Sequence, residues 1–189
     1  MKKVCLTLSL FTLVFGLMAQ TKFTVDKAHS SVNFKVKHNG ISFVNGSFNT
    51  FDGFVVGDLN NLQDARIEFT VDARSIDTRI EPRDNHLRGA DFFDTEKYPQ
   101  ILFKSTGIEK IDDKNYKLKG LITLKDVTKA VTFDVVYGGK IVGRGGKDVI
   151  GFIAKGRINR FDFNVAYDPD GKTIAKDVDL ILYMEFVAE

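Results

Sequence analysis

From residue 31 onward the chain alternates apolar and polar residues with a period of two, broken by short polar clusters. In "SVNFKVKHNG" Val32, Phe34 and Val36 share one face, and the Asn-Gly pair that follows favours a tight hairpin turn. "ARIEFTVDA" sets Ala65, Ile67, Phe69 and Val71 against Arg66, Glu68, Thr70 and Asp72. The same reading groups Tyr116, Leu118, Ile122 and Leu124, then Val131, Phe133 and Val135, then Ile150, Phe152, Ala154 and Ile158. The last segment is the most regular, with Val178, Leu180, Leu182, Met184 and Phe186 at strict intervals of two. With "GSFNTFDGFVV" and "QILFKST", the pattern predicts about eight strands.

The breaks are turns rather than crossovers. Asp112-Asp113-Lys114-Asn115 and Asp168-Pro169-Asp170-Gly171 are spacers of the kind that joins antiparallel hairpins. About eight antiparallel strands in one domain suggest a sandwich or a closed barrel, whose interior has room for its own side chains or one slender ligand. The 17 phenylalanines fall largely at inward positions, and there is no tryptophan. Periodicity says which residues share a face, not whether that face encloses a plug or a hollow.

One stretch departs from the alternation, "DNHLRGADFFDTEKYPQILF" at 84–103. Pro82 suits the first turn of a helix and Gly89 its end, which predicts a short helix from Pro82 to Arg88 with Leu87 as its apolar contact. Asp94 can cap the turn Thr95-Glu96-Lys97 through its side chain, and Tyr98-Pro99 forces extended backbone into the next strand. If Phe92 and Phe93 are extended they face opposite ways, one into the barrel and one outside. The segment reads as a crossover laid against a barrel.

Composition narrows the function classes. Lys2 and Lys3 precede an apolar run from Val4 to Leu17, closed by Met18-Ala19-Gln20, the pattern of a cleaved secretory leader over residues 1–20. That leaves one domain over 21–189 and a periplasmic or secreted location. Losing two lysines takes the formal charge from +2 to neutral, which leaves no basic footprint for nucleic acid. The only cysteine, Cys5, leaves too, so burial alone must hold the fold. His29, His38 and His86 lack paired metal-ligand spacing, so no metal is expected. The Asp168 loop places its glycine too early for a calcium loop, and Gly146-Lys147-Asp148 lacks the hydroxyl of a phosphate loop. No nucleophile elbow is present, and Asp91, Asp94 and Glu96 suit caps and solvated charge better than an acid–base pair.

Four segments carry a resemblance. "RDNHLRGADFFDTEKYPQILFKST", "GLITLKDVTKAVTFDV", "GFIAKGRINRFDFNV" and "FTVDKAHSSVNFKVKH" resemble, in the right order, the YceI-like family of lipocalin-like polyisoprenoid-binding proteins. Asp126 stands where that family commonly has glycine, and Ala130 where it often has proline. The resemblance implies an all-β fold with a short helix: an extended eight-stranded antiparallel β-barrel with a hydrophobic pore. It implies no cofactor, and a bound isoprenoid lipid or quinone-type lipid as ligand. On that basis Phe34, Val36, Ile67, Phe69, Val71, Phe103, Phe133, Phe152 and Phe163 are expected to line the pore. Phe92 or Phe93 would close one side, and His86 and Arg88 would stand near a polar head group. The rivals are a lipid-acting enzyme with a polar site near residues 84–91 and a filled barrel that binds a protein partner. An exposed edge strand leaves room for a homodimer.

Overall fold

The computed structural model describes residues 20–59 and 61–189; apart from Gln20, the expected leader lies outside them. Among the described residues eleven strands form one sheet: β1 (Thr21–Val25), β2 (Ser31–His38), β3 (Ser42–Phe48), β4 (Phe51–Asp58), β5 (Asn61–Asp72), β6 (Ile76–Asp77), β7 (Gln100–Lys110), β8 (Asn115–Leu124), β9 (Val127–Val142), β10 (Asp148–Asn159) and β11 (Ile174–Ala188). Every pairing is antiparallel. The elements outnumber the expected strands because three long strands bend. β1 and β2 both run along β11, β3 and β4 continue one another, and β5 resumes as β6 after a 3-10 turn at Ala73–Ser75. Counted by path, eight strands close into a barrel, with β1 sealing against β11.

Side chains and single backbone bonds bridge the bends. At the β1–β2 bend the Ser30 hydroxyl accepts from the Glu185 amide at 2.9 Å, and the Asp26 amide donates to the Glu185 carbonyl at 2.8 Å. The Asp26 carboxylate turns the chain by accepting from the Ala28 amide at 2.9 Å. At the 3-10 turn the Asp72 carboxylate accepts from the Arg74 amide at 3.0 Å.

The crossover between β6 and β7 carries α1 (Glu81–Arg88), the only α-helix among the described residues. Pro82 stands in its first turn and Gly89 ends it in extended backbone. Asp84 is buried and accepts from the Thr78 amide at 2.9 Å and from its hydroxyl, while Arg83 Nε donates to that hydroxyl at 2.7 Å. These bonds tie α1 to the end of β6. The β8–β9 turn, the β10–β11 connection and the crossover all gather at one end of the barrel, the lid end.

Inward positions along the strands build two apolar clusters. One includes Phe23, Val25, Phe51, Val55, Ile150 and Phe186, and the other Leu118, Ile122, Leu124, Val131, Phe163 and Val165. No helix among the described residues is long and apolar enough to cross a membrane.

Candidate functional site

A cavity of about 260 Å³ runs between the two clusters. Inward side chains of the strands wall it, and Leu87, Phe92 and Phe93 of the crossover cover its lid end. Apart from Asn33, Tyr116 and Arg160, every lining residue is apolar. Such a wall offers burial and almost no directed hydrogen bonding.

The hollow survives so many phenylalanines because their rings lie down on glycines. Phe34 pairs with Gly46 and Phe69 with Gly53, and the Phe133 ring lies against Gly156, one step beyond the last β9–β10 pair, Asp134 with Lys155. A Cβ built at Gly46 would stand 2.3 Å from the Phe34 ring, one at Gly53 2.1 Å from Phe69, and one at Gly156 2.6 Å from Phe133. A Cβ at Gly120 would likewise meet Phe103 at 2.3 Å. Each ring occupies the space of a missing neighbour side chain, so it thickens the wall instead of reaching the axis.

Of the residues expected at the pore, Phe34, Val36, Ile67, Phe69, Val71, Phe92, Phe93, Phe103, Phe133 and Phe152 line the cavity. Phe163 is buried in the second cluster but is not on the cavity wall. It follows β10 in a 3-10 turn, Arg160–Phe163, where strand alternation no longer predicts direction. Phe92 and Phe93 both turn inward, against the expectation of opposite faces. Residues 89–97 are coiled by amide bonds from Phe92 and Asp94 to the Gly89 carbonyl, from Phe93 to Leu87 and from Thr95 to Arg88, so the period of two does not apply. Lys97 and Tyr98 close the next turn on the Asp94 backbone carbonyl, where the sequence suggested its side chain.

His86 and Arg88 stand outside the cavity. The His86 ring is 3.1 Å from the Asp91 carboxylate, on the exposed side of α1, and packs edge-on against Phe92 and Tyr167, both at 5.0 Å between centroids. Arg88 donates to Asn85 Oδ1 at 2.6 Å and to the Ile76 carbonyl at 3.3 Å. Asp84 engages Thr78, so Asp84, His86 and Asp91 form no common hydrogen-bonded group.

Sequence reasoning missed Arg160, the one charged lining residue, which is 5 % exposed. Its Nε donates to the Ala175 carbonyl at 3.1 Å, Nη1 to Val165 and Tyr167 at 2.7 and 2.6 Å, and Nη2 to Asp168 and Ile174 at 3.2 and 2.8 Å. All five N–H groups are thus satisfied, three by carbonyls of the β10–β11 connection and two by carbonyls at the start of β11. Burial pushes its pKa below the usual guanidinium range, and the Asp168 carboxylate opposes that shift. No alternation signal marks it, because Arg160 opens the 3-10 turn just past the end of β10.

On the outer surface, Asp26, His29 and Glu185 bring ligand-type atoms within 4.8 Å of one another. His29 Nδ1 lies 2.8 Å from Asp26, a contact that raises the imidazole pKa and lowers that of the carboxylate. No metal-ligand spacing is legible here along the chain, because Glu185 joins Asp26 and His29 only through folding.

Comparison with known proteins agrees with this architecture. Residues 23–186 match the YceI-like domain. Protein YceI of Escherichia coli O157:H7 is 37 % identical over 197 residues, covering 100 % of both chains. The crystal structure of the Campylobacter jejuni YCEI protein is 34 % identical, covers 96 % of this chain and 99 % of its own, and superposes with a TM-score of 0.74. A polyisoprenoid binding domain from Saccharophagus degradans, implicated in plant cell wall breakdown, shares the fold at 14 % identity and a TM-score of 0.67, covering 88 % of this chain and 98 % of its own.

Proposed function

The chain belongs to the YceI-like domain family, and from that premise and the chemistry of its cavity we propose that it binds the tail of an isoprenoid lipid, such as a quinone or a polyprenyl phosphate, along the barrel axis. The observation that carries this reading is a hollow of about 260 Å³ inside the barrel with a wall that is apolar but for three residues. A methyl-branched polymer has little to hydrogen-bond, and burying ten methylene equivalents is worth roughly 8 kcal/mol gross, at about 0.8 kcal/mol each. Immobilising the ligand offsets part of that.

In this reading the ten lining residues from the sequence grip the tail. The head group sits toward the lid end, where the Arg160 charge favours an anionic or carbonyl-bearing group through its field, its N–H groups being already engaged. His86 and Arg88 hold the lid in place rather than touch the ligand. The role is carriage or storage, not catalysis, in a periplasmic or secreted mature domain spanning 21–189. The similarity to a domain named for polyisoprenoid binding supports the ligand class.

The test is organic extraction of protein purified from its native host, with mass spectrometry of the lipid fraction. An isoprenoid lipid in about stoichiometric amount is expected. An empty fraction, together with no uptake of added quinone or prenyl phosphate, rejects carriage.

A further inference from the structure

The β2–β3 hairpin projects at the lid end of the barrel. Asn39 and Gly40, with φ of 51° and 69°, fold the chain back so that Ile41 projects from the tip, 88 % exposed. Phe43, 51 % exposed, pairs with Lys37 on the outer face, and the Lys35 ammonium stands 4.8 Å from the Phe43 ring centre. Residues 27–51 contain no aspartate or glutamate. Lys35 reaches Asp179 on β11 at 3.6 Å, whereas Lys37 has no acidic partner among the described residues. β3 pairs with β6 only at Ser47 and Phe48, so its tip-side half leaves the barrel wall with a free edge.

Isolated apolar side chains on a surface are ordinary. Here an isoleucine and a phenylalanine share a projecting, acid-free hairpin with two lysines, and the hairpin stands beside the cavity. Val36, Ile174 and Val178 line the cavity, and the register sets Ile174 against His38 and Val178 against Val36. The tip thus lies only a few residues beyond the cavity wall, about 10 Å at strand rise. Apolar side chains that enter the acyl boundary, flanked by ammonium groups at phosphate level, are what an anionic lipid surface accepts.

We propose that the β2–β3 hairpin docks the barrel on anionic bilayers, with Ile41 and Phe43 inserting and Lys35 and Lys37 meeting the head groups. The purpose rests on the carriage reading, since a water-insoluble tail must be collected from a membrane; the measurement does not.

The experiment is co-sedimentation of the purified protein with vesicles of phosphatidylcholine alone and with added phosphatidylglycerol. Binding is expected to the anionic vesicles and to weaken with salt. Ile41→Ser/Phe43→Ser is expected to weaken it by about tenfold or more. Lys35→Gln/Lys37→Gln removes the preference for anionic lipid. Ile141→Ser/Val142→Ser, exposed at the opposite end, leaves binding unchanged. Circular dichroism melts verify that each variant is folded, which substitution of exposed side chains should permit. No binding by the parent protein, binding that survives the Ile41/Phe43 change, or loss on the Ile141/Val142 change overturns the inference. So does a dimer that the Ile41/Phe43 change dissociates in the absence of vesicle binding. A protein that binds vesicles but yields no extractable lipid keeps this inference and defeats carriage; one that yields lipid but ignores vesicles does the reverse.

Discussion

Phe133 lies over Gly156 so closely that a methyl group on residue 156 would stand 2.6 Å from the ring, with no backbone atom among its nearest neighbours. The two residues lie on neighbouring strands β9 and β10, one step beyond the last paired residues, Asp134 and Lys155. The pair shows how an aromatic-rich interior stays hollow: the ring is stored against the wall, in the gap its partner leaves.

Gly156→Ala is therefore expected to push the Phe133 ring toward the axis, at a cost of about 1–3 kcal/mol by overpacking. Urea denaturation measures the loss, and a lipid titration should show reduced uptake. Adding Phe133→Leu, which withdraws the ring, should restore much of both. Equal stability of Gly156→Ala and the parent would show that the ring has another place to go.

Arg160→Met tests the buried guanidinium. The substitution keeps the length of the side chain but leaves five carbonyls, three in the β10–β11 connection and two at the start of β11, without the donors Arg160 supplies. An acceptor left out of reach of water costs about 1–3 kcal/mol, but only the Val165 bond is fully buried and water can reach the others. The expected loss is about 3–5 kcal/mol, that of breaking up a buried charged group's partners. Arg160→Lys keeps the charge and only three donors, and should fall between the two. A thermal melt unchanged by Arg160→Met would mean that water replaces the guanidinium.

How much of this was legible in the chain depends on which force sets each residue. Val178 to Phe186 face inward because alternation in a strand fixes direction, and nothing further is needed to read them. The same rule failed at Phe92, Phe93 and Phe163, all of which sit in turns where amide bonds replace the ladder. Hollow versus filled was beyond periodicity, because it depends on cross-strand pairing of Phe34 with Gly46 and Phe69 with Gly53. Those residues lie 12 and 16 positions apart, and their alignment is known only from register. Arg160 was passed over because its partners are backbone carbonyls, which carry no sequence signal.

The Asp26–His29 pair makes the β1–β2 bend sensitive to pH. The imidazole pKa is raised, first by the hydrogen bond His29 donates to the Asp26 carboxylate, so its contribution is fully present below the usual histidine value of about 6.5 and fades as pH rises through the folded value. The Asp26 pKa is lowered, first by the same bond, so its contribution is present above the usual aspartate value of about 3.9 and fades as pH falls below it. The bend is thus tightest in mildly acidic solution. An NMR titration of His29 should give a midpoint above 6.5, and Asp26→Asn should bring it down; an unchanged midpoint would mean that the contact is absent in solution.

Phe93 makes the lid a lever on exchange. Its ring meets Phe48 edge-on at 5.8 Å between centroids, and both line the cavity, so the crossover is pinned to β3 by an aromatic contact rather than a covalent or ionic one. Phe93→Ala removes that contact and opens space under α1. Truncating a fully buried phenylalanine costs about 3–5 kcal/mol when the loss falls on the whole fold, and Phe93 is only partly buried. Here α1 is held separately by Asp84, Thr78 and Arg83, so the barrel strands should feel less of it. The expected outcome is a modest drop in the global melt, with faster amide exchange over residues 86–97 and faster release of bound lipid. The comparison that decides it is Phe23→Ala, in the cluster that packs β1 against Ile150 and Phe186. That variant should lower the melt sharply without speeding exchange in the lid, because it loosens the wall and leaves the cover in place.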